Sequence, residues 1–131
     1  MRRFGIVLLA LMMTVAACGD DDSEPVSFGQ GRIPETVPDG FPMPSGATIG
    51  ATLVDRVNHR TEFTVNAGSD LDGTVAFFAV ELVNAGYVVD RSAGGDTEWT
   101  LEFSRGSLEG AITFKVIAPG TTSAVVSMNR S

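Results

Sequence analysis

Between Glu98 and Lys115 the side chains alternate in a way that leaves little freedom of fold. Trp99, Leu101 and Phe103 are separated by Glu98, Thr100 and Glu102, and Ile112 and Phe114 resume the pattern beyond Gly106-Ser107. A period of two is the signature of a strand with one face buried and one wet. Gly106-Ser107 fits a tight hairpin turn, which sets Trp99 against Phe114, Leu101 against Ile112 and Glu98 against Lys115. A chain committed to such a hairpin must cover its apolar face with other elements.

The neighbouring segments supply candidates. Ile49, Ala51 and Leu53, then Phe63 and Val65, alternate as two further strands. Asn58-His59-Arg60 is expected as the loop between them, placing Arg56 opposite Glu62 and Leu53 opposite Val65. Leu71, Val75, Phe78 and Leu82 recur at helical spacing, with Ala79 and Val83 widening the stripe. Ser69 with Asp72 reads as a capping box, and Gly86 as the C-terminal stop. Tyr87 to Asp90 and the segment holding Ala124, Val126 and Met128 complete the set. The expected fold class is α+β: a two-layer domain running strand-strand-helix, then an antiparallel meander of three to four strands, with one helix packed on one sheet face. The opposite face is expected to carry Thr52, Val54, Thr64, Val88, Thr100, Glu102, Thr113, Lys115, Ile117, Val125 and Ser127. Val54, Thr113, Lys115 and Ile117 are the candidate partner surface on it.

The amino-terminal third reads differently. Arg2 and Arg3 precede an apolar run from Gly5 to Ala17, and Cys18 follows. Thirteen apolar residues are too few for a membrane span, which needs about 20, but suit a secretory signal. Val15-Ala16-Ala17-Cys18 resembles the lipobox of bacterial lipoproteins. That resemblance implies cleavage before Cys18 and attachment of a diacylglycerol to its thiol, with further acylation of the new terminus giving a stable anchor. Residues 1–17 are then the signal peptide. Residues 18–47 read as the lipidated cysteine and a disordered tether rich in Pro and Gly, spanning roughly 30 Å as a flexible coil. Residues 48–131 are the folded domain. Pro42-Met43-Pro44-Ser45-Gly46-Ala47 and Leu82-Val83-Asn84-Ala85-Gly86-Tyr87 give residues 42–130 a resemblance to small domains in predicted actinobacterial-type lipoproteins. It implies a fold and carries no catalytic residues.

Composition limits the chemistry. The 131 residues hold 9 Lys+Arg against 16 Asp+Glu, a net charge of −7, which excludes charge-driven binding to nucleic acid. An acidic chain is also repelled from anionic lipid, leaving the acyl chains to hold it. One cysteine and one histidine, Cys18 and His59, exclude an intrachain disulfide and multi-thiolate or paired-histidine metal sites. Gly106-Ser107-Leu108-Glu109-Gly110 places its serine one position too early for a nucleophile elbow. Asp70-Leu71-Asp72-Gly73 fails the calcium-loop spacing and reads as helix capping. Glu81, Asp90, Glu98 and Glu102 are scattered acids that only a fold could assemble. No cofactor, metal or catalytic residue is therefore expected.

The function these features imply is a non-enzymatic binding or assembly module of the cell envelope. It would be anchored through Cys18 on the extracytoplasmic side of the cell membrane or outer membrane, with an envelope protein or cell-wall component as partner. The alternative is a carrier of a lipid or small apolar ligand, lined by Phe77, Phe78, Trp99 and Phe114.

Overall fold

A computed structural model describes residues 24–131; Cys18, the signal segment and the first part of the tether lie outside them. The described residues form seven strands and one helix: β1 (Val26–Gln30), β2 (Thr48–Asp55), β3 (Arg60–Ala67), α1 (Leu71–Asn84), β4 (Val88–Gly94), β5 (Glu98–Arg105), β6 (Leu108–Ala118) and β7 (Thr121–Arg130). All seven strands join one antiparallel sheet in the order β1-β2-β3-β7-β6-β5-β4. The two-layer α+β expectation is overturned: the described residues are mostly β, a single seven-stranded sheet with one short helix. The strand beyond the expected count is β1, in which Val26 and Phe28 alternate with Ser27 and Gly29 over a stretch too short, among flanking prolines and glycines, to mark a strand by itself. It is held by a non-local partner, pairing Val26 with Asp55 and Gln30 with Ala51.

Alternation along the strands sorts the side chains into two faces. One row of the covered face runs Ser27, Val54, Thr61, Met128, Gly110, Phe103, Val89 across all seven strands. The next runs Gly29, Thr52, Phe63, Val126, Ile112, Leu101, Ser92. Phe63, Leu101, Phe103, Ile112, Phe114 and Val126 on this face are almost wholly buried. Gly110 is the small member of its row because a Cβ there would run into the ring of Phe103. The β5–β6 register matches the hairpin read from the sequence, with Glu98 on Lys115, Trp99 on Phe114 and Leu101 on Ile112.

The β2–β3 hairpin differs from expectation. Its loop is Arg56-Val57-Asn58-His59, with Asp55 opposite Arg60, Leu53 opposite Glu62 and Val65 opposite Ile49. The Asp55 carboxylate accepts hydrogen bonds from the Val57 and Asn58 backbone and from Asn58 Nδ2, starting the turn early. These bonds hold the Asp55 carboxyl below the usual carboxylate range. A bulge between Ile49 and Thr52 absorbs the remaining mismatch. The pairing is displaced by an odd number of residues, so Thr52 and Val54 turn to the covered face instead of the open one.

Helix α1 covers the β4–β7 part of the buried face with Leu71, Thr74, Phe78 and Leu82. Asp70, not Ser69, is the N-cap, its Oδ1 accepting from Gly73 N at 2.7 Å. Ser69 instead bonds the Thr74 hydroxyl at 2.6 Å. At the other end Tyr87 N donates to Leu82 O and Gly86 N to Val83 O, with Gly86 at φ 90°, a Schellman closure that only glycine adopts freely.

Fourteen residues of helix cannot span seven strands, and residues 31–47 cover the rest as a strap. This segment counts with the tether, with Pro38 to Pro44 expected to lie over the domain and cap its core. It does so as a series of turns in which Val37, Phe41 and Ala47 donate to Pro34, Pro38 and Pro44 carbonyls. Each proline fixes the start of a turn, and two of the turns deliver Val37 and Phe41 into the core. Phe41 packs on Phe63, Tyr87 and Phe103 with ring centroids 5.9, 5.8 and 5.8 Å away. The folded unit therefore begins before Val26, not at residue 48. Replacing Phe41→Ala should destabilise the domain by about 3–5 kcal/mol, measured by urea unfolding, because the cavity would open between strap and sheet. A change under about 1 kcal/mol would show that the strap is not part of the core.

Candidate functional site

Two surfaces come out of this arrangement. The first is the open face of the sheet. Its central row is Thr64, Val125, Thr113, Thr100, Ala93, with the Gly50-Ala51 bulge opposite Thr64 and Gln30 beyond it, and the next is Phe28, Leu53, Glu62, Ser127, Ala111, Glu102, Arg91. Small and β-branched side chains occupy the middle, and most of them are half-buried by their neighbours in the pleat. Charge gathers at the margins, in Arg60, Glu62, Arg91, Glu98, Glu102 and Lys115. Arg60 and Glu62 pair at 2.6 Å, an exposed contact that adds little stability.

Of the candidate partner residues, Thr113 and Lys115 lie on this open face, and Ile117 is an exposed apolar side chain near its far end. Val54 does not belong with them. It is buried beside Thr61 on the covered face, moved there by the hairpin register described above. Thr52 moves with it. The lipidation residue, Cys18, lies outside the described residues.

The fold brings two of the scattered acids together and separates the other two. Asp90 and Glu102 share a shallow depression of about 410 Å³ with Glu109, while Glu98 pairs in register with Lys115 and Glu81 is on α1. Among the described residues no group of three or more His, Cys, Asp or Glu is placed to hold a metal ion. The four aromatics of the carrier alternative are packing residues. Phe78 and Phe114 are fully buried with centroids 5.6 Å apart, and Phe77 meets Phe78 edge to face at 5.3 Å. Trp99 Nε1 donates to Ser92 Oγ at 2.8 Å. The space between helix and sheet is filled there by the rings themselves.

The second surface is the end of the sheet where the β2–β3 and β5–β6 turns and the end of β7 meet. A cleft of about 550 Å³ opens there between the strap and the hairpin. Val54, Leu108 and Met128 form its floor, Glu35 and Thr36 its strap side, and Arg56, His59, Arg60 and Arg130 its rim. Thr36 and Thr61 share a hydroxyl hydrogen bond across it. His59 holds the left-handed position that closes the turn, φ 53°, and its carbonyl accepts from Arg130 N. The lone histidine is thus a turn residue whose ring borders a cleft. Sequence reasoning missed Arg130 and Arg105 because only the strand order brings the last residues of β5 and β7 to the β2–β3 turn.

Tyr87 is the buried polar group of this end. Its hydroxyl has no hydrogen-bond partner, and the Arg105 guanidinium lies 4.4 Å from its ring centroid. Burial pushes the phenol above the usual tyrosine value, while Arg105 and Arg130 pull it down. A raised folded-state value means that stability is intact below the unfolded value of about 10 and is lost as pH rises through the folded one. Tyr87→Phe should remove that alkaline loss and, by deleting an unpartnered buried hydroxyl, stabilise the domain by about 1 kcal/mol. Urea unfolding of both proteins at neutral and alkaline pH, with ultraviolet titration of the chain's only tyrosine, reads both effects.

Comparison with protein-family models, with curated proteins and with solved structures finds no match to this chain. Among the described residues no helix is long and apolar enough to cross a membrane.

Proposed function

We propose that this chain is an extracytoplasmic lipoprotein, anchored through Cys18, whose domain is a non-enzymatic binding or assembly module for another envelope protein. The observation that carries the reading is the open sheet face. α1 and the strap cover one side of the sheet, and among the described residues nothing covers the other. Seven strands at 4.8 Å by about seven residues of strand make a face of roughly 34 by 24 Å, or ~800 Å², the usual footprint of one partner in a stable complex. A face of that size suits a protein, whose side chains can also enter the shallow depressions beside Glu102. The uncharged middle, Thr64, Val125, Thr113 and Thr100, can be desolvated cheaply, and the charged margin sets orientation. The carrier alternative has less support, because its aromatic lining is packed core.

Two measurements test this. The intact mass of the protein recovered from bacterial membranes should begin at Cys18 and carry acyl chains that a Cys18→Ser control lacks. An unlipidated mass would overturn the anchor. A photo-crosslinking amino acid at Thr113 should give one discrete protein adduct in cells, and the same probe at Val83, on the exposed side of α1, should not. Adducts of equal yield at both positions, or none at Thr113, would overturn the sheet face as the docking site.

A further inference from the structure

On the lipid-anchor reading of Cys18, the point where the chain enters the sheet bears on which part of the domain meets the bilayer. The chain enters the sheet at the turn end: Arg56 N donates to Pro25 O at 2.7 Å, and Arg56 Nη1 to Glu24 O at 3.0 Å and Ser27 Oγ at 3.1 Å. Only residues 19–24 separate Cys18 from Pro25. Fully extended, that span is at most about 25 Å, shorter than the long free tether expected from composition.

The end so placed has a surface suited to lipid headgroups. Val57, at the tip of the β2–β3 turn, is 68 % exposed, and Val88, at the start of β4, is 59 % exposed. Around them stand the guanidiniums of Arg56, Arg105 and Arg130. Apolar side chains interleaved with arginine are what an interfacial surface uses: the former enter the headgroup layer and the latter bond phosphate oxygens. Glu35, Asp55 and Glu109 lie at the same end, so long-range attraction is weak and contact depends on tethering, which supplies a high local concentration.

We propose that the turn end of the sheet, centred on Val57, is a membrane-facing surface that rests on phospholipid headgroups, standing the strands away from the bilayer and leaving the open face sideways and accessible. This rests on the lipid-anchor reading of Cys18, and the experiment keeps the two apart. The chain from residue 18 onward, which contains every described element, is coupled through its sole thiol to a maleimide lipid. The vesicles are phosphatidylcholine and phosphatidylglycerol carrying a headgroup spin label. A fluorescent amino acid replaces Val57 in one sample and Ile117, about 30 Å along β6 from the turn end, in the other.

The expected result is quenching severalfold stronger at position 57 than at position 117, weakened by Arg130→Glu. Equal quenching at the two positions, or stronger quenching at 117, would overturn the proposal. Quenching at 57 that ignores Arg130→Glu would overturn the arginine–phosphate contact. The coupling is chemical, so these outcomes do not depend on whether a cell acylates Cys18; the intact mass reports that separately.

Discussion

A seven-stranded sheet with one apolar face sets a covering problem that α1 solves only in part. The ring of Phe41 solves the remainder. It reaches Phe63 on β3, Phe103 on β5 and Tyr87 at the entrance to β4, so one side chain of the strap bridges the two halves of the sheet. Without it the β1–β3 side would be a two-layer structure lacking its second layer. The proline-started turns before and after Phe41 give the strap its shape before any contact is made, which lowers the entropy lost in docking it.

How much of this was legible in the sequence depends on how local the cause was. The β5–β6 hairpin could be read because its alternation, its two-residue turn and its opposed charges all lie within twenty residues and agree. The Gly86 stop was legible for the same reason. The β2–β3 register was not, because it is decided by the Asp55 carboxylate seizing backbone donors in the turn and by a bulge at Gly50-Ala51. An odd displacement from those causes carried Val54 from the open face to the covered one. β1 had little local signal: Val26 and Phe28 alternate with Ser27 and Gly29 over only five residues, and pairing with β2 makes them a strand.

The surfaces follow the same division. Thr113 and Lys115 were placed on the open face by the β6 pattern alone. The turn end, with Arg105, Arg130 and Val57, is a product of topology. Alternating strand directions send the β2–β3 turn, the β5–β6 turn and the chain terminus to one pole, a grouping invisible until the strand order is known. The isolated histidine, His59, closes the β2–β3 turn and borders the cleft.

The position of β1 has a mechanical consequence. It is an edge strand, antiparallel to its one neighbour, and the chain reaches it at the end where Arg56 holds Glu24 and Pro25. Tension arriving from the amino-terminal side would load those bonds first, and then the β1–β2 ladder behind them. The strap follows β1 directly, so yielding would continue into the Pro34, Pro38 and Pro44 turns until it reached the Phe41 contact. The domain thus stores slack at its entrance: it can lengthen under load while α1 and the β3–β7–β6–β5 centre of the sheet stay intact.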